Sequence, residues 1–476
     1  MSTTARTAPV DVAIIGGGAA GTLTALHLLR LAQEPLVLAI VEPAQPLAQG
    51  IAYATPWPEH LLNVPAAKMS AFPDLPEDFV SYLVATSSFP GESAVALAQR
   101  YVSRHHFASY LQQRLHELAA VKPVELLVIA QTARALRPDG AGYRLQLDGD
   151  RCLHAAQVVL ATGNCMRPLA LPGAQLFRPP ELIPAWDYTG VRQRAGEHAV
   201  AILGTGLSMV DSVRSLLAAG HRGPVHVISR RGVLPLPHAH HSTMNLEWMN
   251  LIPMRLCQRM RWLRQHARQL QEQGLPWQAL MEALRPSGQV LWTSLDSDDQ
   301  RRFLRHAVRY WDVHRHRIAS EAAEDLRLLQ TCGQLEVHRA RLHRLERHGH
   351  QLQLSGRNGL TGQQQQWNVA TVINATGVET RASALRQPLL QQLLADGLVR
   401  PGPHGLGLDT VGIGHCVQAD GTVQRHLNVL GSLRAGNLWE TLAIPELRQQ
   451  ALGLAAQILE VTTTVPPNLA TGRTRA

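Results

Sequence analysis

Val10-Asp11-Val12-Ala13-Ile14-Ile15-Gly16-Gly17-Gly18-Ala19-Ala20-Gly21 decides how this chain is read. The first six residues, rich in β-branched and apolar side chains, make a strand. It runs into Gly16-x-Gly18-x-x-Gly21, and an apolar helix pattern follows from Thr22 to Leu31. In that spacing the first glycine allows a tight turn and the second lets a pyrophosphate approach the backbone. The third lets helix and strand pack closely. The helix N-terminus, at Ala19 and Ala20, offers free N–H groups and a positive dipole end to phosphates. A second strand, Leu36 to Val41, ends at Glu42, where a carboxylate can bind ribose hydroxyls. Strand, glycine loop, helix, strand and terminal acid, in that order, predict a dinucleotide-binding unit.

The pattern returns from Val200. Ala201-Ile202-Leu203 reads as a strand, Gly204-Thr205-Gly206 as a tight turn, Leu207 to Ala219 as a helix and Val225 to Ile228 as the next strand. Ser208 stands in the first turn of that helix. Met209 replaces the third glycine, so helix and loop must pack differently here. The second strand ends not in an acid but in Ser229-Arg230-Arg231-Gly232. Arginines suit a 2′-phosphate by charge and by bidentate geometry, which favours NADPH over NADH. Two further apolar strands stop at small turns, Ala161-Thr162-Gly163 and Ala375-Thr376-Gly377. Such turns mark the chain crossing near a flat cofactor between domains. Asp211, inside the helix, reads as a structural partner rather than a catalyst.

Elsewhere the pattern predicts a helix from about Ala94 to Ala120 and strands at Val124 to Val128, Tyr143 to Leu147 and Gln157 to Leu160. From about 245 to 330, Arg, His, Gln and Leu recur at helical spacing with Trp248, Trp262, Trp277, Trp292 and Trp311, read as packing anchors. Strands resume at Leu335 to Val337, Gln351 to Leu354 and Val369 to Asn374. Asn428 to Gly431 precedes a last helix ending near Leu459, and the polar tail from Pro466 is expected to be disordered. The expected fold is α/β, with two Rossmann-like dinucleotide-binding domains. Residues 1–195 and 365–476 form a discontinuous first domain; residues 196–364 form the second and carry the helical insertion.

Composition narrows the function classes. The chain has 476 residues, 45% hydrophobic and 17% charged, which excludes a disordered or fibrous chain and allows about three domains. No run of about 18 apolar residues and no signal-peptide pattern is seen, so no membrane partner and a cytoplasmic location are expected. None of Cys152, Cys165, Cys257, Cys332 and Cys416 falls in a CxxC pair, which argues against a disulfide framework, a zinc ribbon and a dithiol redox centre. Apart from Lys68 and Lys122, the basic residues behind the net charge of +9 are arginines, and they are scattered. An anionic cofactor or substrate explains them better than a nucleic acid. Pro237-His238-Ala239-His240-His241 and His314-Arg315-His316 are dense in histidine, but lack clean metal-ligand spacing and a framing Glu or Cys, so no metal is expected.

With both loops and both turns in place, the chain resembles flavoproteins with two dinucleotide domains. More narrowly, it resembles the YdhS-like FAD/NAD(P)-binding family, related to flavin-dependent N-hydroxylating monooxygenases. The matching segments are Leu61 to Ala66 with Lys68 to Pro73, Gly204 to Asp211, Ser229 to Gly232 and Leu438 to Arg448. The resemblance implies that the first loop holds FAD and the second NAD(P)H. The implied cofactor-binding set is Gly16, Gly18, Ala19, Ala20, Gly21, Glu42, Asn63, Thr162, Gly163, Gly204, Gly206, Ser208, Ser229, Arg230, Arg231, Gly377, Gly431 and Thr441. The loop from Asn63 to Ser70 is expected to face the flavin, making Asn63, Lys68 and Ser70 candidates beside the reacting centre. Lys68 could there meet a substrate carboxylate, although a solvated lysine is the better reading of the residue. Gly431 to Ala443 is expected at the pyrimidine end; Trp439 and Glu440 there could bind ligand, or cap and pack a helix.

The implied activity is that of an FAD-dependent, NADPH-using monooxygenase. It would hydroxylate a nitrogen of a small amino-acid-like substrate with O2. The alternatives are a flavin-dependent NAD(P)H reductase serving a small acceptor, or a flavin-binding protein without turnover. The Phe-x-Gly-x-x-x-His signature of many flavin monooxygenases is not intact around Phe177-Arg178-Pro179, which argues against Baeyer–Villiger or microsomal-type oxygenation. The lack of paired cysteines argues against a disulfide reductase.

Overall fold

Two separately hydrogen-bonded sheets organise the chain, with helices packed on them. The computed structural model describes residues 9–239 and 244–464, so the expected disorder from Pro466, and His240 and His241, lie outside the described residues. The strands of the first part are β1 (Val10–Ile15), β2 (Leu36–Val41), β3 (Val124–Ile129), β4 (Ala133–Asp139), β5 (Gly142–Leu147), β6 (Cys152–Leu160), β7 (Cys165–Met166) and β8 (Leu182–Pro184). The next are β9 (Val200–Leu203), β10 (Val225–Ser229), β11 (Leu335–His348), β12 (Gln351–Asn358), β13 (Gln364–Val369) and β14 (Thr371–Asn374). The last are β15 (Val378–Glu379), β16 (Thr410–Val411), β17 (His415–Val417) and β18 (Val423–Val429).

The first sheet runs β16-β17-β18-β6-β1-β2-β3, with β5 on β6 and β4 on β5. Its centre, β18-β6-β1-β2-β3, is parallel. Strands buried on both faces read as continuous apolar runs, as β1 and β2 do. The second sheet runs β13-β12-β11-β10-β9-β14-β8, parallel from β11 to β8. It takes in β8 and β14, which lie on either side of residues 196–364. A short antiparallel ribbon, β7 with β15, joins the segments leaving the two Ala-Thr-Gly turns.

The helices used below are α1 (Ala19–Leu31), α2 (Ala94–Gln99), α3 (Arg104–Val121), α4 (Leu207–Ala218), α5 (Leu256–Glu272), α6 (Gln278–Leu284), α7 (Val308–Arg315), α8 (Ser320–Thr331) and α9 (Ile444–Thr464). α1 is sandwiched between the first sheet, α3 and α9 in one large apolar core. The single helix expected from Ala94 to Ala120 is instead two. The backbone is extended at Arg100 and Ser103, and there Leu62 and Ala66 donate to the Val102 and Arg100 carbonyls. That tertiary pairing of the 61–66 loop outweighs continued helix. The helical insertion is present, from the short turn at Trp248 to α8, with a small core of its own around Leu251, Leu280 and Leu284.

Candidate functional site

Each sheet ends in a crevice of the same build. Beyond β1 the chain must turn sharply, and Gly16 does so at φ +109°, with its ideal Cβ position 2.2 Å from the Ala161 oxygen. Beyond β9, Gly204 repeats this at φ +112°, 2.2 Å from the Ala375 oxygen. The Gly16 N–H donates to Val41 and the Gly204 N–H to Ile228, each at 2.9 Å. The Ala161 N–H reaches Ile15 and the Ala375 N–H reaches Leu203, again at 2.9 Å. Both glycine loops therefore lie against their Ala-Thr-Gly turns, at the carboxyl ends of parallel strands where the order of connection reverses. That is where open α/β sheets bind ligands.

In the first crevice a Cβ on Gly21 would stand 1.9 Å from the Gly16 oxygen, so only glycine lets α1 begin this close to the loop. Gly18 precedes α1 without a side-chain cap, which leaves first-turn N–H groups facing outward for an anion. The Glu42 carboxylate accepts from the N–H groups of Gly17, at 2.8 Å, and Ala44, at 3.0 Å, and is fixed at the end of β2. Remaining lone pairs can take ribose hydroxyls. The buried Thr162 hydroxyl has no hydrogen-bond partner among the described residues, and the Cα of Gly163 faces open space. From β18, Gly431 at φ +78° comes up against Ala20, and Ser432 donates to the Gly163 carbonyl at 3.1 Å. A glycine cradle, a fixed acid and an orphaned hydroxyl fit a dinucleotide such as FAD.

The second crevice differs where its sequence does. Met209 is buried in the core; its N–H bonds the Gly206 carbonyl at 3.0 Å and Val210 reaches the same carbonyl only at 3.4 Å, whereas in α1 the matching bond from Thr22 to Gly18 is 2.9 Å. α4 thus opens on a tighter turn than α1. The Ser229 hydroxyl accepts from the Gly232 N–H at 3.0 Å and from Thr205 at 3.2 Å, shaping the turn after β10. Arg230 is exposed, while Arg231 lies over the Tyr310 ring, 4.9 Å from its centroid. Trp186 donates to the Ser208 hydroxyl at 3.1 Å. Gly377, at φ +95°, borders open space. Sequence reading missed Arg309, on α7, which donates to the Thr205 carbonyl at 2.7 Å and hydroxyl at 2.9 Å. Nothing local in the sequence marks it, because the contact spans 104 residues.

The loop from Leu61 to Ser70 is tied to the insertion. His238 contacts the Asn63 carbonyl at 2.9 Å, and Lys68 pairs with Glu282 on α6 at 2.5 Å. Glu282 also holds Arg317, whose side chain is 1% exposed. Lys68 is therefore a strut to α6. Ser70 is fully buried and donates to the Leu75 carbonyl at 2.6 Å, so its hydroxyl shapes its own loop. Glu440 is buried between Arg315, at 2.9 Å, and the Trp311 indole N–H, at 3.0 Å. Trp439, at φ +62°, packs on Trp292 and Phe303, and the Thr441 hydroxyl is buried without a partner among the described residues. Asp211 receives both Arg104 nitrogens, at 2.8 and 3.0 Å, joining α4 to α3.

A family model described as FAD-NAD(P)-binding matches residues 13–165, which contain the first glycine loop, Glu42 and Thr162. The matched stretch is about a third of the chain. No curated protein matches the chain in sequence. Among solved structures, an ornithine N-hydroxylase of Kutzneria sp. 744, with reduced FAD, NADP+ and L-ornithine, superposes with a TM-score of 0.68 at 15% identity, covering 96% of this chain and 100% of that one. A reduced ornithine hydroxylase of Pseudomonas aeruginosa gives 0.66 at 15% identity, over 95% and 99%. An L-lysine 6-monooxygenase of Pseudomonas syringae gives 0.63 at 16% identity, over 95% and 99%. At these identities the likeness is one of fold, and it covers nearly the whole chain.

The insertion encloses an open groove of about 1270 Å³ between α5, α6 and α7. Leu256, Met260, Leu263 and Trp277 give it an apolar floor; Arg261, Arg264 and Arg268 line it with charge. Tyr310, under Arg231, and Trp311, on Glu440, belong to its wall, so the groove lies between the second crevice and the 439–446 segment. His238, His314 and His316 do not gather into a metal-ligand group among the described residues. No disulfide joins the described cysteines, and no described helix is long and apolar enough to cross a membrane.

Proposed function

We propose that this chain is an FAD- and NADPH-dependent monooxygenase that hydroxylates a nitrogen of a small amino-acid-like substrate with O2. One observation carries the reading: two nucleotide crevices of matching geometry share one chain, with a helical insertion packed against the segments expected to face the flavin. The bound flavin supplies the redox and oxygen-transfer chemistry. The chain binds and positions. Gly16 to Gly21, Glu42, Thr162, Gly163 and Gly431 hold FAD in the first crevice. Gly204, Gly206, Ser229, Arg230, Arg231 and Gly377 take NADPH, with the two arginines on its 2′-phosphate.

The tie from the Asn63–Ser70 loop to α6 and His238 holds the insertion against the loop expected to face the flavin. The arginines lining the groove suit a substrate carboxylate. The superposed ornithine N-hydroxylase and L-lysine 6-monooxygenase are named for amino acids with a side-chain amine.

The test is product formation. Purified holoprotein with NADPH and O2 is offered amino-acid and acylated amine substrates, and hydroxylamines are read by mass spectrometry. NADPH use coupled to an added oxygen atom on nitrogen is expected. Steady NADPH oxidation by an artificial acceptor under anaerobic conditions, with no oxygenated product in air for any substrate, would favour the reductase reading.

A further inference from the structure

Neighbouring strands of the second sheet bring three side chains of metal-ligating type together. β10 and β11 are parallel and pair His226 with Glu336 and Ile228 with His338. Side chains two apart on a strand share a face, and registered neighbours stand side by side. His226, Glu336 and His338 thus project from one face of the sheet. The His226 Nδ1 lies 3.1 Å from the His338 Nε2. The Glu336 Oε2 lies 3.7 Å from the first and 3.4 Å from the second.

We propose that His226, Glu336 and His338 form a binding site for a divalent transition metal of the zinc class. In a tetrahedral site with ligand bonds of about 2.05 Å, ligand atoms stand about 3.3 Å apart. The three observed separations bracket that value, so one ion can reach all three atoms with little movement. Both imidazole side chains are 18% exposed, and His338 is backed by the Trp367 ring at 5.3 Å, which limits the rotamers lost on binding.

Two imidazoles and one carboxylate select zinc, cobalt or nickel over magnesium or calcium, which prefer all-oxygen sites. The Glu336 side chain is 55% exposed, so a fourth ligand comes from solvent. An ion there clamps β10 to β11 three residues before Ser229, the start of the turn that carries Arg230 and Arg231.

The test is calorimetric titration of chelator-washed, FAD-loaded protein with Zn2+, repeated with Co2+ and Mg2+. One saturable Zn2+ site is expected, with Co2+ also binding and Mg2+ not. In His226→Ala/His338→Ala the affinity should fall roughly a hundredfold, and in Glu336→Gln about tenfold. Retained flavin absorbance and circular dichroism show that the variants are folded. The absence of a one-site signal in the parent, or its survival in the double histidine variant, would overturn the proposal.

Discussion

Gly16 and Gly204 show how closely single residues govern this molecule. Each sits at a positive φ that L side chains rarely adopt, with a carbonyl oxygen where a Cβ would be. Alanine at either position must move the loop off its Ala-Thr-Gly turn. Gly16→Ala is therefore expected to purify with little flavin. Gly204→Ala should keep its flavin yet lose reduction by NADPH at concentrations that bleach the parent. Absorbance of the two purified variants checks this, and equal flavin and equal reduction in both would contradict the assignment of the two crevices.

These glycines were legible in the sequence because a glycine motif reports backbone conformation directly. Lys68 and Ser70 were not, because their partners come from tertiary packing: Glu282 for Lys68, and the Leu75 carbonyl for Ser70. Arg309 escaped for the same reason. So did His226, Glu336 and His338, which strand pairing assembles; dense histidine runs in the sequence pointed elsewhere.

At the scale of elements, the alternation of strand and helix in both units could be read because buried parallel strands are continuous apolar runs. Edge hairpins could not. β4 ends in exposed Arg137, Pro138 and Asp139, and β11 extends to His348 through a polar stretch, well past the apolar run at Leu335 to Val337. The Ala94–Ala120 helix divides because its middle backbone pairs with the 61–66 loop.

That loop's attachment to α6 carries a pH signature. Burial would raise the Glu282 pKa, but Lys68, Arg317 and Arg285 outweigh it and hold the carboxyl at about 2 against an ordinary 4.5. A folded pKa below the unfolded one contributes stability that is fully present above about pH 4.5. It is lost as pH falls through about 2. Glu282→Gln leaves Arg317 buried without its counter-charge and should cost about 3 kcal/mol at neutral pH. Its denaturant midpoint should also depend less on pH between 4.5 and 2 than the parent's. An unchanged midpoint at neutral pH would remove Glu282 from the tie.

The whole molecule is two crevices of similar build, tied to each other and to the insertion. Arg104–Asp211 joins α3 to α4, and the β7–β15 ribbon braces the segments that leave the Ala-Thr-Gly turns. The insertion reaches back through Lys68–Glu282, Arg315–Glu440 and Arg285–Glu446. These ties bridge the elements that the two cofactors would occupy, so the account requires electrons to pass from one crevice to the other within one chain.

The most direct measurement is the visible spectrum of the purified holoprotein, titrated anaerobically with NADPH and, separately, with NADH. Bleaching of the bound flavin by NADPH at a far lower concentration than by NADH is expected, and Arg230→Ala/Arg231→Ala should erase that preference. A bound flavin that stays oxidised with both nucleotides, with or without candidate substrates, would contradict the account.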